Sequence, residues 1–245
     1  YSRKNIVAIA FVSLLMLFLS SCSSIQEKDS PNILLILVDD MGYGDAECYN
    51  PDSKIPTPAI NELAEQGIMF TDAHASGPLC HPSRYGLMTG EYPFREDLSI
   101  WRDYPTIDEA QFTLPEMLKN AGYYTAMVGK WHLGFFEQGY DRELTGGPFD
   151  RGFDSFFGIR ASTDIPPYFY IRDKMAVTPP NDSIGASSSE GWSPIQGAFW
   201  RAGGIAPGLE LKDVLPRFTE EAVSVIQSHS QRPEREKPLF LYLAY

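Results

Sequence analysis

Positive charge and cysteine are both scarce in this sequence of 245 residues. Twenty Lys and Arg stand against 32 Asp and Glu, which gives a formal net charge of −12. Nucleic acid is therefore excluded as an expected partner, because phosphate backbones are bound by clusters of basic residues. The sequence also lacks an internal repeat, and its 43% hydrophobic and 21% charged residues exclude disordered and collagen-like classes. What remains is an ordinary globular composition.

Long apolar runs are rare, and one of them lies at the N-terminus. Arg3 and Lys4 precede an apolar run from Ile6 to Leu19, which is too short for a confident membrane span and is typical of a signal peptide. The run ends in Leu-Ser-Ser-Cys22, which resembles the lipobox of bacterial lipoproteins. An ordinary signal peptide with an incidental Cys22 is the alternative.

The lipobox interpretation sets the expected boundaries and location. Residues 1–22 would be a lipoprotein signal peptide, residues 23–31 a polar linker, and residues 32–245 a catalytic domain. Cys22 would carry the lipid that anchors the protein to a membrane. We therefore expect an exported protein, held in the periplasm or outer membrane, with the cell surface as a further option.

Strands and helices alternate along the rest of the chain. The unbroken apolar run Ile33 to Val38 predicts a central strand buried on both faces. Thr57-Pro58 opens a helix that Gly67 ends, and a second strand is predicted at residues 68–70. These three elements form a strand-helix-strand unit.

The same alternation recurs later in the chain. Thr113 and Glu116 form a capping-box pattern, so a helix should run from there to Gly122 and lead into a strand over residues 123–128. Apolar residues at helical spacing follow near Phe218, and a last strand covers residues 239–243. The pattern predicts an α/β fold, with long loops between residues 159 and 207.

The last predicted strand runs to Tyr245 without a following turn or helix. A domain of this class rarely stops at such a point. We therefore expect the chain to stop before a C-terminal subdomain.

Two carboxylates directly follow the first predicted strand. Asp39 and Asp40 would lie at the carboxyl end of that strand, where oxygen ligands can converge on Ca²⁺ or Mg²⁺. The alternative is a turn, because Met-Gly-Tyr-Gly follows the pair.

Cys80 begins a segment whose residues predict a helix N-terminus. Pro82 suits the first helical turn and Gly90 would end the helix. Free backbone N–H groups and the helix dipole favour an anion there, and Arg84 adds a full charge about one turn further on. A thiol at this place would be activated. The alternative, a buried structural cysteine, leaves Pro-Ser-Arg unexplained.

The segment Cys80 to Gly90 resembles the signature of the sulfatase family. All seven specified positions of Cys-x-Pro-Ser-Arg-x-x-Leu-x-Thr-Gly are present, and His81 fills a variable one. A second motif of that family matches Gly-Lys130-Trp-His132-Leu-Gly. Read alone, Lys130 and His132 would suit a structural loop with a solvated lysine and a capping histidine. The resemblance runs from about residue 31 to residue 245.

The resemblance implies a role for each matched residue. Cys80 would be oxidised to formylglycine by a formylglycine-generating maturation enzyme, and Asp39 and Asp40 would bind Ca²⁺, in preference to Mg²⁺, together with that group. Arg84 would stabilise the formylglycine. The family's later residues, a His, an Asp-Asn or Asp-Gln pair and a Lys, have no match here, so we expect this chain alone to be inactive.

Three further roles concern the substrate. Lys130 would contact a sulfate oxygen, and His132 would hydrogen-bond the formylglycine hydrate and accept a proton when sulfate leaves. Ser162 matches, more loosely, a position that touches the same group.

The implied fold is alkaline-phosphatase-like, a mixed, mostly parallel sheet with helices on both faces. The implied activity is hydrolysis of sulfate esters, either aryl sulfates or the sulfated glycans that a lipoprotein with long loops would meet. Two alternatives stay open. One is a phosphomonoester or phosphonate hydrolase of the same superfamily, and the other is a non-catalytic lipoprotein that binds sulfated glycans.

Overall fold

The computed structural model describes residues 30–98, 104–188, 199–231 and 237–245. These residues fall almost entirely in one compact unit, Pro31–Tyr245. The predicted signal peptide, Cys22 and nearly all of the predicted linker 23–31 lie outside the described residues. Within the described ranges, no helix combines the length and the apolar character that a membrane crossing requires.

A six-stranded mixed sheet organises the unit. Four strands run parallel to one another, namely β1 (Ile33–Leu37), β2 (Tyr124–Lys130), β3 (Ser155–Ile159) and β8 (Leu239–Ala244). The short β4 (Ile171–Arg172) and β5 (Met175–Ala176) extend the sheet in antiparallel fashion, so the order across it is β1-β8-β2-β3-β4-β5. A separate antiparallel pair consists of β6 (Asp182–Ile184) and β7 (Gly203–Ile205).

Helices cover both faces of the sheet, which confirms the predicted fold class. The α-helices are α1 (Pro58–Gln66), α2 (Cys80–Thr89), α3 (Leu114–Asn120) and α4 (Val214–Gln231), and short 3₁₀ helices cover Tyr43–Asp45, Pro93–Arg95, Pro148–Arg151 and Leu211–Asp213. Side chains of α4 join one buried cluster with β2 and β8, whereas side chains of α2 and α3 belong to the cluster on the opposite face. The sheet is thus the middle layer.

Local sequence explains where the predicted helices begin and end. The Thr113 hydroxyl accepts a hydrogen bond from the Glu116 N–H, and the Glu116 carboxylate accepts one from the Thr113 N–H. This reciprocal pair is the predicted capping box. At the end of α2, Gly90 adopts a left-handed conformation with φ of 71°, which glycine reaches without steric cost.

The prediction for β1 was wrong in one respect, because β1 lies at the edge of the described sheet. Its residues alternate between partial burial and exposure, and Leu34, Ile36 and Val38 are each about half exposed. Among the described residues only β8 pairs with it. An apolar run indicates that a strand is suited to burial, but the number of strands that pair with it depends on the tertiary structure.

Two other predictions also need correction. Residues 68–70 form no strand, since no described strand pairs with them. Ile68 and Phe70 are largely exposed. The region from 159 to 207 contains the four short strands β4 to β7 where only loops were expected. Strands of two or three residues are too short to show a period of two in the sequence.

Candidate active site

The carboxyl ends of the parallel strands lie along one edge of the sheet, and polar residues follow each of them. Asp39 comes after β1, Lys130 ends β2, Arg160 follows β3 and Tyr245 follows β8. Side chains at such an edge converge in α/β folds. Residues that are far apart in the sequence can therefore form one site here.

Arg84 lies at the centre of this edge and is 1% exposed. Its guanidinium donates hydrogen bonds to the backbone oxygen of Lys130 at 2.7 Å and, at 3.5 Å, to the hydroxyl of Tyr242 and the backbone oxygen of Tyr245. It also lies 3.7 Å from the carboxylate of Asp39. The planar fork of arginine suits several acceptors at once. One α2 side chain thus ties together the ends of β2 and β8.

Lys130 forms an ion pair with Asp39 at the same place. The lysine side chain is only 4% exposed and the aspartate side chain 23% exposed. A buried ammonium group requires a nearby negative charge, because removal of its hydration is costly. Asp39 supplies this charge, so the predicted cation of the second motif and one predicted metal ligand are in direct contact.

His132 adopts a left-handed backbone conformation, with φ of 59°. Its N–H donates to the backbone oxygen of Arg160 at 3.0 Å, and its ring lies 5.8 Å from that of the buried His81. Burial, followed by the positive charges of Lys130 and other neighbours, lowers the pKa of His132 to about 2. The imidazole is therefore neutral at physiological pH, and in this setting of burial and positive charge it is a weak base.

Cys80 is the first residue of α2, as predicted. It is partly exposed and forms no disulfide. Leu79 precedes the helix without a side-chain cap, so the first-turn N–H groups face the region around Cys80. Arg84, one turn further along α2, brings this helix to the strand ends described above.

The family model that describes sulfatases matches residues 31–245 of the chain. The chain belongs to the sulfatase family.

Relatives with known names agree with this assignment. An N-acetylgalactosamine-6-O-sulfatase from Bacteroides thetaiotaomicron is 34% identical over 92% of this chain and 50% of its own length. Human steryl-sulfatase is 37% identical over 60% of this chain and 26% of its own length. The chain thus spans about half, or less, of the length of these curated relatives.

The fold is also found in solved structures. A Bacteroides thetaiotaomicron structure, described with a core genetic locus for metabolism of multiple glycosaminoglycans, is 31% identical, with a TM-score of 0.73 over 89% of this chain and 51% of that one. A second, i-CgsB bound to a neocarrahexaose, is 28% identical, with a TM-score of 0.59 over 88% of this chain and 44% of that one.

The candidate site offers ligands for part of a Ca²⁺ coordination shell. Asp39 and Asp40 supply hard carboxylate oxygens of the type that Ca²⁺ prefers. Asp40 is exposed and has φ of 54°, and in the described ranges no three His, Cys, Asp or Glu residues are gathered around one point. Because Ca²⁺ takes about 6–8 oxygens, the two aspartates would be part of a larger set of ligands.

Two buried polar atoms of the candidate site have no hydrogen-bond partner among the described residues, Nε of Arg84 and Nδ1 of His132. Buried polar atoms are normally paired. Both belong to residues predicted to contact a formylglycine at position 80, so the donor and acceptor set is compatible with an oxygen-rich group there.

Among the described residues, no hydrogen bond or ion pair links Asp40 or Cys80 to this cluster, and the structure does not bring Ser162 to it. Ser162 lines a small apolar cavity with Ile159, Tyr168 and Leu209, which none of the other predicted site residues lines. Its role in the sulfatase site stays a prediction.

Sequence reasoning missed a polar group beside the sulfatase site. Glu137 accepts hydrogen bonds from Arg160 at 2.8 Å and from the Tyr140 hydroxyl at 2.8 Å. Burial, together with the charge and hydrogen bond of Glu137, raises the pKa of Tyr140 to about 12. No family motif covers these three residues, and only their position just after β2 and β3 could have drawn attention to them.

Proposed function

We propose that the protein to which this chain belongs hydrolyses sulfate esters on glycans, through a formylglycine made from Cys80. The observation that carries the proposal is the convergence of Arg84, Lys130 and His132 at the strand ends, next to the helix that Cys80 begins. The names of relatives, among them N-acetylgalactosamine-6-sulfatases, support a 6-sulfated amino sugar as the substrate class.

The buried cations give the chain its means of binding an anion. A sulfate ester carries a negative charge that repels a nucleophile, so the charge must be neutralised before attack at sulfur. Lys130 is held at 4% exposure, where its attraction to a sulfate oxygen is little weakened by water. Arg84 adds a second positive charge and keeps Lys130 in place through the hydrogen bond to its backbone oxygen.

The implied groups would add chemistry that the twenty amino acids lack. A hydrated formylglycine at position 80 supplies a hydroxyl nucleophile, and a Ca²⁺ held in part by Asp39 and Asp40 supplies further positive charge. Burial and neighbouring positive charges keep His132 neutral, with a pKa of about 2. A sulfate group at position 80 would place negative charge beside the imidazole and raise this pKa, as acceptance of the proton lost when sulfate leaves requires. The arrangement divides hydrolysis into two steps of covalent catalysis.

The test starts with the intact protein, produced together with a formylglycine-generating enzyme. Mass spectrometry of the peptide that contains position 80 should show an aldehyde in place of the thiol. Sulfate release is then measured from 6-sulfated N-acetylgalactosamine and from an aryl sulfate, and phosphate release from an aryl phosphate. The proposal expects turnover of the sulfate esters.

Variants give the test its control. Lys130→Ala should lower kcat/KM by about 100-fold or more, the usual effect of removing one charge-stabilising group. Lys174→Ala removes a partly buried lysine that pairs with Asp150 and should leave kcat/KM unchanged. Preferred turnover of aryl phosphate would establish the phosphatase alternative. Unmodified Cys80 with retained glycan binding would establish the binding-protein alternative.

Export and lipid attachment at Cys22 are part of the same proposal. Metabolic labelling with a radioactive fatty acid should mark the protein, and Cys22→Ser should abolish the label. Labelling that survives the substitution would contradict a lipobox at Cys22.

A further inference from the structure

Glu137 lies in a fully bonded polar network beside the active-site edge. One carboxylate oxygen accepts a hydrogen bond from Nε of Arg160 at 2.8 Å and lies 2.6 Å from a second nitrogen of the same guanidinium. The second oxygen accepts from the Tyr140 hydroxyl at 2.8 Å. The arginine side chain is 17% exposed and the glutamate side chain 11% exposed. Such a shielded, two-nitrogen contact fixes the orientation of both side chains.

The same arginine is bonded to the segment that carries His132. The backbone oxygen of Arg160 accepts the His132 N–H at 3.0 Å, and the preceding oxygen, of Ile159, accepts the Trp131 N–H at 3.1 Å. Its guanidinium also donates to the backbone oxygen of Pro166 at 3.1 Å. Arg160 therefore connects the segment after β2 with the segment after β3.

His132 needs such support, because its φ of 59° lies in a region that L-residues seldom occupy. Conformations of this kind persist only where the surrounding structure imposes them. The backbone oxygen that accepts the His132 N–H belongs to Arg160, and the guanidinium of Arg160 is held by Glu137. The chain of contacts thus runs from a carboxylate outside both family motifs to the predicted proton acceptor.

We infer that Glu137 and Arg160 are positioning residues that hold the His132 imidazole at the angle required for proton transfer. The inference rests on the proposed function for its catalytic consequence, although its structural consequence can be measured separately. Neither residue needs to touch the substrate. Their effect is to keep the reacting group within the narrow range of positions that catalysis tolerates.

The chain offers a matched control for this pair. Lys174 and Asp150 also form a partly buried ion pair, with side chains 25% and 26% exposed. Asp150 belongs to the 3₁₀ helix Pro148–Arg151, which precedes β3, so this pair is at the opposite end of the strand from Arg160. Asp150→Asn and Glu137→Gln make the same chemical change, but only Glu137→Gln should affect His132.

The first measurement uses the intact protein with labelled histidine, at one fixed pH. Loss of one set of imidazole NMR signals in His132→Gln assigns the set that belongs to His132. Glu137→Gln and Arg160→Lys should shift that set, while Asp150→Asn should not. Unchanged His132 signals in both variants, or an equal shift in Asp150→Asn, would overturn the inference.

The second measurement is steady-state kinetics with an aryl sulfate. Glu137→Gln should lower kcat on the order of 10- to 100-fold with KM nearly unchanged, as expected for a displaced reacting group. A rise in KM with unchanged kcat would overturn the positioning role. If the intact wild-type protein shows no sulfatase activity, the proposed function fails, and the NMR comparison still decides whether Glu137 positions His132.

Glu137→Gln could prevent folding, in which case Tyr140→Phe replaces it. That change removes only the hydroxyl that donates to Glu137. A smaller shift of the same His132 signals is expected, and the absence of any shift would count against the inference.

Discussion

The guanidinium of Arg84 donates a 2.7 Å hydrogen bond to the backbone oxygen of Lys130, which lies 46 residues further along the chain. The bond joins the two sulfatase motifs directly, because Arg84 belongs to the first motif and Lys130 to the second. Arg84, whose charge suits substrate binding, thus also holds two segments of the fold together. Stability and activity should therefore change together at this position.

Arg84→Lys tests that coupling. A lysine has a single ammonium group and cannot replace the planar fork that reaches the oxygens of Lys130 and Tyr245. We expect the free energy of unfolding to fall by about 2 kcal/mol or more, as for other buried hydrogen bonds to a charged group. Denaturant unfolding measures this. Arg217→Lys, at an exposed position of α4, should change stability little, and equal effects of the two variants would contradict the prediction.

Gly129, which precedes Lys130, is a second residue of the candidate site on which the stability of the fold depends. It has φ of +120°, and a Cβ there would overlap the backbone oxygen of Ala244 on β8. Gly129→Ala should lower the free energy of unfolding by about 3 kcal/mol or more, through strain and overlap with backbone. Thermal unfolding provides the measurement. Gly185→Ala, where no atom lies within 4 Å of the added carbon, is the control, and a stable Gly129→Ala protein would refute this explanation.

Cys80→Ala and Cys80→Ser should both lose turnover of sulfate esters, by at least about 100-fold. Alanine has no nucleophile, and serine has only one hydroxyl, so a sulfate group transferred to it cannot be eliminated. Mass spectrometry of the serine variant after incubation with substrate should find sulfate bound at position 80. Cys48→Ser, at a partly exposed free cysteine, should keep full activity. Repeated turnover by the serine variant would rule out the proposed mechanism.

The low pKa of His132 makes stability depend on pH. Burial first, and neighbouring positive charges second, lower this pKa from 6.5 to about 2. Between these values the unfolded chain binds more protons than the folded protein does. The stability that neutral His132 contributes is therefore fully present above about pH 6.5 and is lost progressively as the pH falls toward 2.

His132→Gln should flatten this dependence, which denaturant unfolding at pH 7 and pH 5 can show. The matched control is His74→Gln, because the His74 side chain is 84% exposed and faces an exposed aspartate. The control should keep the slope of the wild type. A slope that is the same in His132→Gln and in the wild type would mean that another group controls acid stability.

Local sequence predicted several features that the structure confirms. The helix from Cys80 with its Gly90 stop and the capping box at Thr113 were both found. These features depend on hydrogen bonds and backbone conformations within a few residues, so a short window of sequence contains all the information. The prediction at residues 68–70 was wrong because a strand also needs a partner strand, which no local pattern reveals.

In the candidate site, too, some features were predicted from the sequence and others depend on contacts between distant residues. The motifs identified Arg84, Lys130 and His132, but not that Arg84 would bond to Lys130 or that Glu137 would support His132 through Arg160. Glu137 has no distinctive neighbours in the sequence. Its importance follows only from the packing of the segment after β2 against the segment after β3.

The sequence by itself determined the charge of the chain, the approximate starts and ends of α1, α2 and α3, and the two motifs that identify a sulfatase. Tertiary structure alone decided that β8, from the far end of the chain, lies between β1 and β2, and that Asp39, Arg84 and Lys130 are in contact. The physical reason is the distance along the sequence between the residues that interact. Capping and helix formation involve neighbouring residues, whereas strand order and buried ion pairs depend on the free energy of packing residues that are distant in the sequence.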